Sequence, residues 1–308
     1  MKQIQILAPA KINLFLKILN KRKDDYHNIE TIFEKVSLFD KIILRESPKN
    51  DVIIESNVKD LRFLGKSNTV YKAIHLIKKR LRVKRGIYAY VEKSIPIGAG
   101  LGGGSSDAVA TLKGINRLWR LGLCKKDLLN LSKNIGSDVP LFMLNGSFLL
   151  GKGRGEELSR IPGTSNLKLW HILVVPNLKI STHYAYSLFD KYYLSKKRGV
   201  RSGVLQGKLR LTIPTYSANI ITYALLNRDV SLLNYYSYNS FKSLILREFT
   251  KLSSLNRILE NINRDFVHLS GSGSALFMTF SDRKEAEYPI RKIKKVVSKC
   301  NCFLVHTC

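Results

Sequence analysis

No apolar run in this sequence approaches the ~18 residues that a membrane-spanning helix needs, so an integral helical membrane protein is excluded. Met1 to Ile6 carry neither a long apolar stretch nor a small-residue cleavage site, so no secretory signal is read there and a cytoplasmic location is expected. Cysteine is scarce: Cys124, Cys300, Cys302 and Cys308, the last three within nine residues and without a C-x-x-C pair. His75, His171, His183, His268 and His306 add no ligand-spaced cluster, so zinc is not expected and the cysteines read as reduced thiols. Acid is also in short supply, 23 Asp and Glu against 52 Lys and Arg, for a net charge of +29. Such an excess suits nucleic acid, a membrane surface or anionic small molecules. The basic residues are dispersed, with local density only at 191–210 and 283–299. Dispersion favours a solvated surface that draws in anionic substrates; neither nucleic acid nor a membrane is expected as a partner.

What is present supports a large folded core. The chain has 308 residues, 44% of them hydrophobic, enough for one large or two ordinary domains. A chain of this length buries about 75% of its unfolded surface. Ile12, Leu14, Leu16 and Ile18 alternate with Lys11, Asn13, Phe15 and Lys17, predicting a strand with Lys11 and Asn13 on one face. A polar turn follows at 23–25, then strand-like sequence from Thr31 to Leu44 around an expected turn at Phe39-Asp40-Lys41. Ser67-Asn68-Thr69 offers a helix cap, and Val70, Ile74, Ile77 and Leu81 follow at helical spacing. Ile87, Ala89 and Val91 predict a strand, and Ala108, Leu112, Ile115 and Trp119 a helix. A short helix is expected over 125–135, a fresh helix start at Ser137-Asp138-Val139-Pro140, and hairpin turns at Gly146, Gly151, Gly153 and Gly155. Beyond Pro162-Gly163 the pattern gives a buried strand at 169–175, helices within 217–227 and 241–262, and strands at 266–269 and 275–280. Strands and helices without regular alternation predict an α+β fold.

Between the strand ending at Val91 and the helix beginning near Ser105 lies Pro96-Ile97-Gly98-Ala99-Gly100-Leu101-Gly102-Gly103-Gly104-Ser105-Ser106, with five glycines in seven residues. Glycine permits positive φ and close approach of a ligand to the main chain. A helix starting there points its N–H groups and positive dipole end at an anion, and phosphate matches. A dinucleotide fingerprint would need a second strand ending in an acid about 20 residues on, but Leu118 to Gly122 holds none. A Walker loop would need a lysine before the serine, and Gly104-Ser105-Ser106 lacks it.

The loop resembles the second motif of the GHMP kinases, the superfamily of galactokinase, homoserine kinase and mevalonate kinase. Ala8-Pro9-Ala10-Lys11-Ile12-Asn13-Leu14 resembles the first motif and Leu269-Ser270-Gly271-Ser272-Gly273-Ser274-Ala275 the third, in the right order. Asp25-Tyr26-His27-Asn28, the triple glycine 102–104 and Gly136-Ser137-Asp138-Val139-Pro140 are similar to the branch that phosphorylates the 2-hydroxyl of 4-diphosphocytidyl-2-C-methyl-D-erythritol in the non-mevalonate isoprenoid pathway. The resemblance implies a two-domain GHMP kinase fold: a ribosomal-S5-domain-2-like domain over 1–158 and a C-terminal α/β sandwich domain over 159–308, with the site between them.

It also implies ATP and Mg²⁺ as cofactors and a small-molecule substrate. Pro96 to Ser106 would bind the triphosphate, joined by Gly271, Ser272 and Gly273 of the third motif, with Asn68 and Lys93 on the adenine side. Ser105 or Ser106 would meet the metal. Asp138 stands at a helix start, where the dipole favours its ionised form; by spacing alone it could equally cap that helix, and the resemblance makes it the base. Lys11 would hold Asp138 charged and stabilise charge near the acceptor oxygen. Tyr26 and His27 would recognise cytosine, Asn13 the sugar-like diol, and Thr182 and Tyr186, in Ser181-Thr182-His183-Tyr184-Ala185-Tyr186, would complete the cytidine pocket.

Overall fold

The computed structural model describes residues 2–59, 65–197, 217–263 and 266–308, with 194–197 as backbone only. Strand β1 (Gln3–Lys21) runs antiparallel to β2 (His27–Ser47), joined by a tight turn in which the Arg22 amide donates to the Tyr26 carbonyl at 2.7 Å. Then come β3 (Val52–Ser56), α1 (Thr69–Leu81), β4 (Gly86–Glu92), α2 (Gly103–Leu118), α3 (Lys125–Ser132), α4 (Val139–Met143) and the hairpin β5 (Phe148–Lys152) and β6 (Glu157–Arg160). The second half contains β7 (Trp170–Pro176), α5 (Thr182–Lys197), α6 (Ala218–Asn227), α7 (Val230–Tyr236), β8 (Tyr238–Asn239), α8 (Lys242–Glu248) and α9 (Thr250–Asn263). It ends with β9 (His268–Leu269), β10 (Leu276–Phe280), α10 (Arg283–Val296) and β11 (Cys300–His306).

The first sheet has the order β3-β4-β2-β1-β8, with β5 pairing β2 and β6 pairing β5. The second has the order β11-β7-β10-β9. The mixture of two sheets and flanking helices is α+β, as the sequence predicts. The first sheet is built from residues 3–160 except for β8, which lies parallel to Phe15 and Leu16. One buried cluster joins the halves: Ile12, Phe15 and Ile32 pack with Leu173, Phe277 and Val305.

Local chemistry accounts for the elements that position the cleft. Asn68 caps α1 by accepting from the Val70 amide at 2.8 Å, and Val70, Ile74 and Ile77 bury that helix. Leu81, expected on the same stripe, is 40% exposed because the helix ends beside it in a left-handed Arg82. Ala108, Leu112 and Ile115 bury α2 with Trp119 just past its end.

The expected turn at Phe39-Asp40-Lys41 does not exist, and β2 runs through it unbroken. Asp40 is fully buried there, and its Oδ1 accepts from the Ser94 and Ile95 amides at 2.7 and 2.8 Å. These partners lie more than fifty residues away, which local reading cannot see. The short helix expected to run to 135 stops at Ser132. The helical region expected at 241–262 is two helices, broken at the extended Phe249 (φ −111°, ψ 91°). Helices α5, α7 and α10 and strands β3 and β11 have no counterpart in the sequence reading. Of the basic stretch 191–210, residues 191–197 continue α5 and the remainder lies outside the described residues.

Candidate active site

A cleft of about 830 Å³ opens where β1, the glycine loop, α4, α5 and the loop after β9 meet. The glycine loop forms its wall. Gly98, Gly100 and Gly102 all have positive φ, between +71° and +78°. The loop is braced from both sides by the other two motifs. The Lys11 amide donates to the Leu101 carbonyl at 2.9 Å, the Ala275 amide to Ala99 at 3.1 Å, and the Ser270 hydroxyl to Gly100 at 3.1 Å. Three segments far apart in the sequence, from Lys11 to Ala275, are thus stitched into one surface. On α1, Thr69 adds a fourth tie by donating to the Gly104 carbonyl at 2.7 Å.

Helix α2 starts at this loop with Gly102 as its cap, and among the described residues no side-chain cap bond satisfies its first N–H groups. That leaves an anion-binding end facing the cleft. Ser105 lines the cleft; Ser106 is buried behind it, and its hydroxyl finds no protein partner among the described residues.

Lys11 and Asn13 lie on one face of β1, as the alternation predicts, and are almost fully buried. The Lys11 ammonium donates to Asn13 Oδ1 at 2.6 Å, Asn13 Nδ2 donates to the Thr31 hydroxyl at 2.9 Å, and Thr31 donates to the Phe15 carbonyl at 2.6 Å. This chain fixes the lysine and leaves it donors for a ligand. Burial lowers the Lys11 pKa, and the negative charge of Asp138 works in the opposite direction. Asp138 occupies the cap position of α4, yet its side chain makes no capping hydrogen bond and lines the cleft instead. Capping therefore does not account for this carboxylate. Gly271 lies against the lysine: a Cβ there would sit 3.2 Å from Lys11 Nζ.

The nucleotide-side residues have mixed placements. Pro96 to Ser105, Asn68, Lys93, Gly271 and Ser272 line the cleft, while Gly273 is packed against Leu269 and Ile180. The oxygen of Asn68 is engaged in capping α1. Lys93 is held between the buried carboxylates of Asp40 and Asp107, the latter at 2.8 Å. Burial alone would lower the Lys93 pKa; the two carboxylates more than offset it and raise it. Burial pushes the Asp107 carboxyl upward despite Lys93. Asp40 and Asp107 were not singled out from the sequence, since their pairing with Lys93 is entirely tertiary.

At the other end, Tyr26 is 56% exposed on the cleft, and the Arg154 guanidinium lies 4.8 Å from its ring centre. Arg154 was missed, although its position between Gly153 and Gly155 at a hairpin tip was a local signal. His27 is buried, with its Nε2 2.6 Å from Asp190 Oδ1. Tyr186 stacks on His27 at 4.9 Å and 18° and meets the Phe241 ring edge-to-face at 5.0 Å. Burial, then Asp138, raises the Tyr186 pKa. Thr182 lies 3.3 Å from the Ser272 hydroxyl, linking α5 to the third motif.

Known proteins are similar to this chain in sequence and fold. Residues 68–146 match the family model for the GHMP kinases N-terminal domain. A 4-diphosphocytidyl-2-C-methyl-D-erythritol kinase of Gloeobacter violaceus is 32% identical over 93% of this chain and 89% of its own length. That of Thermodesulfovibrio yellowstonii is 33% identical over 92% of each. A crystal structure of 4-(cytidine 5'-diphospho)-2C-methyl-D-erythritol kinase superposes with a TM-score of 0.73 at 26% identity, covering 98% of both chains. The chain therefore belongs to the 4-diphosphocytidyl-2-C-methyl-D-erythritol kinase family of the GHMP kinases.

Proposed function

We infer that the protein transfers the terminal phosphoryl group of ATP to the 2-hydroxyl of 4-diphosphocytidyl-2-C-methyl-D-erythritol. The observation that carries the mechanism is the meeting of Lys11, Asp138 and the glycine loop in one cleft. Phosphoryl transfer asks a protein mainly for positioning and charge stabilisation. The main-chain N–H groups at the start of α2 hold the phosphates. Asp138 accepts the proton of the attacking hydroxyl, and Lys11 stabilises the charge that develops on the acceptor and transferring oxygens. Asn13, already fixed by Lys11 and Thr31, orients the diol. Tyr26 and Tyr186 supply ring faces and His27 a hydrogen-bonding edge for cytosine, with Thr182 closing that end.

Mg²⁺ belongs to this chemistry and, when bound, neutralises charge on the phosphate oxygens. The residues fit it: Ser106 has a buried hydroxyl with no partner among the described residues, and Ser105 has one on the cleft.

The test is ADP release with ATP, Mg²⁺ and a panel of alcohols: the cytidylyl methylerythritol, homoserine and mevalonate. Only the first is expected to be turned over efficiently. Asp138→Asn is expected to lower kcat by about 10²–10⁴-fold, the range of general base catalysis, while leaving the thermal unfolding transition in place. Turnover near wild type in Asp138→Asn would remove the carboxylate from the mechanism.

A further inference from the structure

His27 is the first residue of β2, and its ring is gripped from α5. Tyr186 covers one face and Phe189 meets it edge-on at 5.9 Å and 85°. One turn beyond Tyr186, Asp190 places Oδ1 2.6 Å from Nε2. The other carboxylate oxygen of Asp190 takes a hydrogen bond from the Lys21 ammonium at 2.9 Å. A carboxylate engaged in this way only accepts hydrogen bonds, so Nε2 must carry the proton. In the neutral ring, Nδ1 then presents a lone pair. Nδ1 has no hydrogen-bond partner among the described residues, and the ring lines the cleft.

We propose that Asp190 is a specificity-determining positioning residue. By fixing the Nε2–H tautomer it makes His27 an acceptor, suited to the exocyclic amine of cytosine and unsuited to the carbonyl oxygen that uracil carries in its place. The inference rests on the proposed cytidylyl substrate. A site that offers a lone pair to a donor rejects an analogue bearing an acceptor, because two lone pairs face each other and neither is hydrated.

Asp190→Asn tests it. The asparagine amide can donate to Nε2, which shifts the proton to Nδ1 and turns His27 into a donor. The measured quantity is the ratio of kcat/KM for the cytidylyl substrate to that for its uridylyl counterpart. The ratio is expected to fall at least tenfold in Asp190→Asn, chiefly through KM, with kcat for the cytidylyl substrate changed by less than about threefold. Lys21→Met, which removes the other partner of Asp190, is expected to leave the ratio near wild type. NMR of the ¹⁵N-histidine-labelled enzyme without ligand gives a second readout: Nε2 protonated and Nδ1 bare in the wild type. A parallel loss on both substrates, an unchanged ratio, or a His27 ring protonated at Nδ1 would overturn the role of Asp190. A wild-type enzyme inactive on the cytidylyl substrate would instead overturn the function proposed above.

Discussion

Gly100 and Gly122 share the same backbone sense, with φ of +78° and +70°, but differ in their surroundings. A Cβ on Gly122 would meet nothing within 4 Å, whereas one on Gly100 would lie 2.2 Å from the Ser270 carbonyl oxygen and 3.1 Å from that of Gly273. The left-handed backbone alone costs an ordinary residue about 1–2 kcal/mol. Gly122→Ala is therefore expected to cost about 1 kcal/mol and leave kcat/KM intact. Gly100→Ala must also separate the second motif from the third, breaking the bonds by which Ser270 and Ala275 hold the phosphate loop. It is expected to cost about 3 kcal/mol or more, since the ~1–3 kcal/mol typical of an overpacked interior site adds to the backbone strain, and at least a hundredfold in kcat/KM. Urea unfolding and ADP release on the two variants side by side make the comparison. Equal effects would mean that strain, not contact, sets the requirement for glycine.

The elements themselves are held together across the two sheets by a small polar seam. Glu34 of β2 is fully buried, accepting from Thr307 at 2.6 Å and lying 3.0 Å from His171 of β7. Thr307, just past β11, also accepts from the Leu169 amide at 2.8 Å. Removing one donor from a buried carboxylate costs about 1.5–3 kcal/mol. Thr307→Val, which keeps the shape, is expected to lower stability by that amount in a urea titration, and Thr307→Ser to restore most of it; a neutral Thr307→Val would assign the seam to packing alone. Nothing in the sequence pointed to this seam, and the reason bears on legibility in general. What local reading could find was local chemistry: the Asn68 cap, the alternation that puts Lys11 beside Asn13, the glycine loop ahead of an amphipathic helix. The motifs joined these because each carries its own signature within ten residues. Asp40 was misread as a turn, and Asp190 and Phe241 were passed over, because their partners come from distant segments; Arg154 alone had a local signal, the two glycines of its hairpin tip. Helix α10 was hidden for another reason: its exposed lysines and internal Pro289 mask a narrow buried stripe of Ala286, Ile290 and Ile293.

Over the whole molecule the excess of 52 basic over 23 acidic residues is the property that no single contact explains. Within the cleft region the cations are largely engaged: Lys93 with two carboxylates, Lys21 with Asp190, Lys11 with Asn13. The surplus is on the surface, as with Lys284, Lys292, Lys294 and Lys295, all exposed on α10. A field of this kind acts on encounter rather than on chemistry, and it is screened over about 10 Å at 0.1 M salt. Both proposed reactants are phosphate anions, so kcat/KM for each is expected to fall several-fold between 50 and 300 mM salt while kcat stays level. The triple variant Lys292→Glu, Lys294→Glu, Lys295→Glu alters only that exposed face. It is expected to lower kcat/KM about twofold at 50 mM salt, to match wild type at 300 mM, and to keep kcat throughout. Steady-state kinetics at the two ionic strengths separates the possibilities. A salt-independent kcat/KM would make the charge a matter of solvation alone, whereas a change in kcat would place part of the field inside the catalytic step, where Lys11 and the start of α2 already supply positive charge.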